Sequence, residues 1–171
     1  KVLASSHAAD RNVQLDVADQ SGFQDFARDA KDLHDIYLGR PQRDAQGQDW
    51  VFTLRHVLRD AQGQPRAVLT DMFPVDFLES LWQDAPLVQQ ITVGVLRDDG
   101  YLMSRYPVPA RVTKDDVYGT RRDGALIRYL TQHQFPVQGR VEGPNALLNG
   151  QNFINLFHRL DKLPATVFVG Q

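Results

Sequence analysis

Arg40, Arg55 and Asp71 stand in or beside runs of apolar residues, and a charge in that setting must find a partner, a ligand or water. A carboxylate such as Asp71 suits a ligand amine, whereas an arginine grips a carboxylate through two parallel N–H donors. Arg55 reads as a surface side chain. Phe23 and Phe26 can line a cavity or simply seat a helix on a sheet, and Trp50 and Phe52 suit a core. His56 and His158 lie in matching Leu-x-His-x-Leu strings and read as hydrogen-bonded structural side chains rather than metal ligands. The pairs Asp98-Asp99 and Asp115-Asp116 fall in a turn and in a polar loop, where solvation accounts for them.

Catalysis has no foothold in these residues. The chain lacks a Gly-x-Ser-x-Gly elbow, a phosphate-binding Gly-Lys-Ser or Gly-Lys-Thr loop and a His-Glu-x-x-His pair. It has no cysteine, which excludes disulfides, Cys-ligated zinc and a thiol nucleophile. With 19 basic against 21 acidic residues and no basic run, a nucleic-acid partner is not expected. Nothing in the composition asks for a metal or a cofactor. At 171 residues, 42% hydrophobic, the chain fits one or two small domains, and no apolar run approaches the roughly 18 residues of a membrane span.

The elements that must position these side chains centre on residues 35–71. Arg-Asp-Ala-Gln-Gly-Gln occurs twice, at Arg43 to Gln48 and at Arg59 to Gln64, each with an Asp to open a turn and a Gly three residues on to take positive φ. Between them Trp50, Phe52, Leu54, His56 and Leu58 alternate with Val51, Thr53, Arg55 and Val57, the period of a strand. An antiparallel meander follows, with strands at 35–42, 49–58 and 65–72. Pro41 and Pro65 suit strand ends.

Upstream, residues 1–5 and 13–17 read as short strands, and Phe23, Phe26, Ala27 and Ala30 form a helical stripe behind Ser21 as N-cap. Downstream, Phe77, Leu78, Leu81 and Trp82 mark a linking helix over 76–83. Strands are expected at 90–96 and 101–106 around Arg97-Asp98-Asp99-Gly100, then a loop over 107–119 and a helix over 123–133. Strands at 137–141, 153–160 and 165–169 close the chain. Leu54-x-His56-x-Leu58 with Pro65 and Val68 recurs as Leu156-x-His158-x-Leu160 with Pro164 and Val167, and Leu3-Ala4-Ser5 as Leu102-Met103-Ser104, at a nearly constant offset. The chain reads as a duplicated module. The first copy has no counterpart of strand 90–96, so it is expected to lack a strand and to leave a sheet edge uncovered.

These residues resemble the double Cache (dCache) sensor domains, tandem PAS-like modules outside the bacterial membrane. The resemblance is carried by Gly39-Arg40-Pro41-Gln42-Arg43-Asp44, Trp50 to Leu58, Arg59 to Gly63, Ala67 to Leu69, Asp76-Phe77-Leu78, Val95 to Leu102, and Leu163 to Gly170. It implies an α+β chain of two modules, each an antiparallel sheet flanked by helices. Residues 1–72 would form the membrane-distal module, lacking its N-terminal helix and first strand, and 73–171 the membrane-proximal one. It further implies a periplasmic, non-enzymatic sensor of small molecules in a bacterial transmembrane signalling protein, touching the membrane only through flanking helices. Such a chain dimerises through the N-terminal helix. By analogy alone, the output is a diguanylate cyclase of GGDEF type; a histidine kinase, a chemoreceptor, or a structural dimerisation module without ligand are the alternatives.

Amino-acid-binding members of that family resemble one another in an Arg-x-Trp-Tyr loop, a Pro-Tyr-x-Asp strand end and an Asp closing the last strand. Here Gln20-Ser21-Gly22-Phe23 and Pro41-Gln42-Arg43-Asp44 depart from the first two, while Asp71 keeps the third. Gln42 and Asp71 end strands that run the same way, so both are expected at one pocket mouth under the loop of residues 19–23. The candidate ligand-binding set is Gln20, Phe23, Tyr37, Arg40, Gln42, Trp50 and Asp71. An acid among neutral Gln20 and Gln42 favours an amine-bearing or uncharged polar ligand.

Overall fold

The repeated Arg-Asp-Ala-Gln-Gly-Gln segments fold as paired turns, and the first sheet hangs from them. The computed structural model describes residues 21–29, 36–44, 46–83, 91–145, 147 and 150–171. In the first turn Gly47 N–H donates to Asp44 O at 3.0 Å, while the Asp44 side chain accepts from Gln48 N–H at 2.7 Å. In the second, Gly63 N–H donates to Asp60 O at 2.9 Å, and the Asp60 carboxylate accepts from the Gln62 and Gln64 N–H groups. Gly47 and Gly63 take φ of 71° and 77°, the left-handed backbone for which glycine carries no Cβ penalty.

These turns join a four-stranded antiparallel sheet: β1 (Ile36–Leu38), β2 (Gln42–Arg43), β3 (Trp50–Arg59) and β4 (Pro65–Pro74). β3 is central, with β1 and β2 along one side and β4 along the other. The single strand expected over 35–42 is thus two short pieces broken at Gly39-Arg40-Pro41, because Pro41 has no N–H to give the ladder. Gly39 N–H still reaches Thr53 O at 2.7 Å. Among the described residues β4 pairs with β3 alone, and eight of its ten positions are exposed.

Helix α1 (Ser21–Asp29) covers one face of this sheet, and α2 (Val75–Gln83) leads out of it. The second sheet has the order β6-β5-β9-β8-β7, with β5 (Thr92–Arg97), β6 (Leu102–Tyr106), β7 (Gln138–Asn145), β8 (Gln151–Arg159) and β9 (Ala165–Gly170). All its pairings are antiparallel. Helices α3 (Lys114–Tyr118) and α4 (Ala125–Gln132) lie between β6 and β7 in the chain. The result is an α+β fold of two antiparallel sheets with few helices, as expected.

Three expectations need correction. Residues 107–119 are not all loop, since Thr113 and Asp116 close a capping box at the start of α3. The acidic pairs are not merely solvated: Asp116 serves that cap, Asp115 accepts from Trp50 Nε1 at 2.7 Å, and Asp98 holds Arg159 through two bonds of 2.8 and 2.7 Å. His56 and His158 are exposed rather than packed, because their strand faces run past the covering elements, as the exposure of Leu58 and Leu156 also shows. The strands expected at 1–5 and 13–17 and the repeat at Leu3-Ala4-Ser5 lie outside the described residues.

The two faces of β3 do different work. Phe52 and Leu54 face the second sheet and join Leu38, Val75, Leu102, Met103, Val117, Tyr118 and Leu130 in one apolar core. Each fully buried side chain of this kind contributes about 1.5–3 kcal/mol by leaving water. Val51, Thr53 and Arg55 face the other way and are buried, with Gly22 and Phe26 of α1 against Arg55.

Candidate ligand site

A cavity of about 300 Å³ opens where α1 and the broken β1–β2 segment meet the second sheet's loops. The break at Gly39-Arg40-Pro41 makes it, since a continuous strand would carry these side chains along the sheet. Tyr37, Gln42, Trp50, Tyr101 and Tyr118 supply aromatic and amide walls, and Asp25, Arg40 and Arg43 supply charge. Trp50 is fixed from two sides: its Nε1 donates to Asp115, and the Arg43 guanidinium lies 4.9 Å from its ring centre. Tyr118, fully buried, lies 6.2 Å from Trp50 ring to ring and donates its hydroxyl to Glu79. Burial pushes Glu79 above the usual carboxylate range and outweighs that bond.

The cavity's cations are already engaged. Arg40 Nε donates to Asp99 Oδ2 at 2.6 Å, its Nη1 lies 3.5 Å from Asp25, and it stands 5.1 Å from the Tyr101 ring centre. Arg43 binds the Asp115 carboxylate and donates to Gln48 O. Burial works to raise the Asp99 carboxyl, but the hydrogen bonds and charges of Arg40 and Arg97 prevail and hold it below its ordinary value. Arg97 also donates to the main-chain oxygen of Leu38, so one turn of the second sheet is tied to β1.

Of the sequence-predicted residues, Tyr37, Arg40, Gln42 and Trp50 are brought together around this cavity. Phe23 lies one layer away, 5.6 Å from Phe26, whose ring meets Tyr37 edge-on at 5.3 Å. Gln20 lies outside the described residues. Asp71 does not line this cavity: it lies in β4, across β3 from β1 and β2, and because it pairs with Leu54 while Gln42 pairs with Val51, those two side chains also fall on opposite faces. Asp71 is exposed.

Arg55, expected on the surface, is 4% exposed. It pairs with Tyr37 across β1 and β3, donates to Gly22 O at 2.8 Å and lies 5.5 Å from the Phe26 ring centre. Its Nε has no hydrogen-bond partner, and desolvation lowers its pKa. Strand alternation could have found it, because Arg55 shares a face with Val51 and Thr53. Asp25, Tyr101 and Tyr118 were missed for another reason, since only the long-range packing brings them to the cavity.

No family profile matches the sequence, and no curated protein sequence does either. Solved structures do. The periplasmic sensory domain of the Campylobacter jejuni chemoreceptor Tlp1 superposes with a TM-score of 0.60 at 17% identity, over 90% of this chain and 55% of that one. The ligand-binding domain of the Pseudomonas aeruginosa PAO1 amino acid chemoreceptor PctB, in complex with L-Gln, gives 0.58 at 15% identity over 92% and 58%. The extracellular domain of a histidine kinase, mmHK1S-Z3, gives 0.65 at 10% identity over 92% and 55%. The chain therefore spans a little over half the length of these structures. No described helix is long and apolar enough to cross a membrane. The two antiparallel sheets and these superpositions together show that the chain shares the fold of these sensory and ligand-binding domains, the fold expected from the resemblance.

Proposed function

We propose that this chain is the periplasmic, ligand-sensing part of a bacterial transmembrane signalling protein and is not itself an enzyme. The observation that carries this reading is the cavity at Tyr37, Gln42 and Trp50: a purely structural module would fill that space, whereas about 300 Å³ lies within the range of small-molecule sites. Residues 1–72 act as the distal, ligand-receiving module and 73–171 as the proximal one. The ligand is amine-bearing or uncharged and polar. Support for that class comes from the aromatic and amide walls, together with Arg40 and Arg43 being committed to carboxylates, rather than from Asp71. In this reading Phe23 backs the α1 side of the cavity through Phe26 and Tyr37, and Gln20 is kept as a candidate ligand residue. Dimerisation runs through an N-terminal helix, and the output is a diguanylate cyclase. Histidine kinase or chemoreceptor output is the second reading, favoured by the proteins whose structures match.

Thermal-shift and calorimetric titration with amines, neutral amides and purines, against carboxylates as contrast, tests the ligand class. A compound of the first groups raises the melting temperature, and Gln42→Leu weakens it about tenfold or more. A protein that responds to none of them, or a Gln42→Leu protein that binds unchanged, sinks the assignment.

A further inference from the structure

A second cavity lies in the other sheet, between α4 and the face formed by β5, β6, β8 and β9, and it is lined by one buried and one half-buried cation. Its volume is about 70 Å³, room for several water-sized groups at roughly 10–15 Å³ each. Arg105 and Arg122 both line it, and each has a buried Nε without a hydrogen-bond partner. Arg105 is 2% exposed, and its side chain makes one long bond, Nη2 to Thr92 Oγ1 at 3.5 Å. Arg122 spends Nη2 on the main-chain oxygens of Asp116 and Val117. Neither has an ion pair among the described residues.

A guanidinium without an ion pair in an apolar site costs several kcal/mol; the Asp116 charge offsets part of this at Arg122, and no carboxylate does so at Arg105 among the described residues. Desolvation, then the charge of Arg122, pushes Arg105 down to about 10. The rest of the lining separates the anions that could relieve this. Besides the two guanidinium groups, the amides of Asn145 and Asn155 are the polar side chains of the lining, and Leu96, Leu102, Leu126, Ile127 and Phe168 are apolar, so a fully hydrophilic tetrahedral oxyanion would set oxygens against hydrocarbon. A carboxylate has two oxygens and can turn an alkyl tail toward these side chains. Half-buried Gly124 and Asn145 with exposed Pro144 form the rim.

We propose that the second sheet carries a binding site for a short-chain monocarboxylate, its carboxylate received by Arg105 and Arg122 and its alkyl group by Leu126, Ile127 and Phe168. The site is separate from the cavity at Trp50 and takes the opposite charge.

The test is titration of the purified protein with acetate, propionate and butyrate in a carboxylate-free buffer, followed by thermal shift and by the methyl NMR signals of Leu126 and Ile127. Chloride and inorganic phosphate at matched ionic strength are the contrasts. The expected result is a melting-temperature rise of several degrees at about a hundred times Kd, with shifted methyl signals. Arg105→Gln weakens binding at least about tenfold and Gln42→Leu leaves it unchanged, which separates this site from the first. The proposal is overturned if no carboxylate moves the methyl signals of the parent, if chloride or phosphate acts equally, or if a folded Arg105→Gln protein binds as tightly. Should Arg105→Gln fail to fold, the methyl signals of the parent decide alone.

Discussion

Arg40 and Asp99 meet at 2.6 Å although they lie in different sheets, one in the break between β1 and β2, the other in the turn between β5 and β6. Arg97 binds the same carboxylate at 3.0 Å. Because these cations lower the Asp99 pKa, the carboxylate contributes stability above its unfolded value and loses it as pH falls through the lower folded value. Acid unfolding below about pH 4 should therefore be steeper in the parent than in Asp99→Asn. Melting temperatures between pH 2 and pH 7 check this, and parallel curves would refute it. Asp60 and Asp116, lowered by their own turn and cap bonds, remain in both proteins and cancel.

Arg55 is the reverse case, a buried cation with no carboxylate on it. Arg55→Met keeps much of the volume and removes the charge, so stability should hold or rise by about 1 kcal/mol, whereas Arg55→Ala should lose about 2–3 kcal/mol through the space left beside Phe23 and Phe26. Urea denaturation measures both. A loss above about 2 kcal/mol in Arg55→Met would mean that the ring faces and Gly22 O more than repay its desolvation.

Asp71→Asn should change neither ligand response nor stability beyond about 0.5 kcal/mol, since Asp71 is exposed and does not line the cavity. Loss of ligand response in that variant, measured by calorimetry, would put the binding site beside β4 instead.

How much of this was readable beforehand divides along the range of the interaction. The paired turns, the strand period of β3, the helix at Phe77 to Trp82 and the Asp-Gly hairpin are local patterns, and the chain folds as they say. The side of the sheet on which Asp71 falls depends on its register with Leu54, and direction of travel along the strands says nothing about parity. The partners of Asp98 and Asp99 lie about 60 positions away, at Arg159 and Arg40, so turn composition alone read them as solvated. The capping box of Thr113 and Asp116, by contrast, is a local signal that the sequence carries.

Asp98→Ala should cost about 1–2 kcal/mol, because it breaks a two-bond grip on Arg159 that is only partly screened by water. Arg159→Ala should cost a similar amount and the double variant little more than either. Additive losses in denaturation midpoints would show that the pair is not coupled.

The edge of β4 bears on how the protein behaves at high concentration. A ten-residue strand paired on one side among the described residues presents main-chain donors and acceptors to any other extended chain, the geometry from which fibrils grow. Here the strand begins at Pro65 and ends at Pro74, neither of which has an N–H to give, and Arg66 and Asp71 place charges along it. An incoming strand could pair continuously only between the prolines and would have to bring both charges against itself. The same prolines that bound the strand thus limit how far another chain could extend the sheet along this edge.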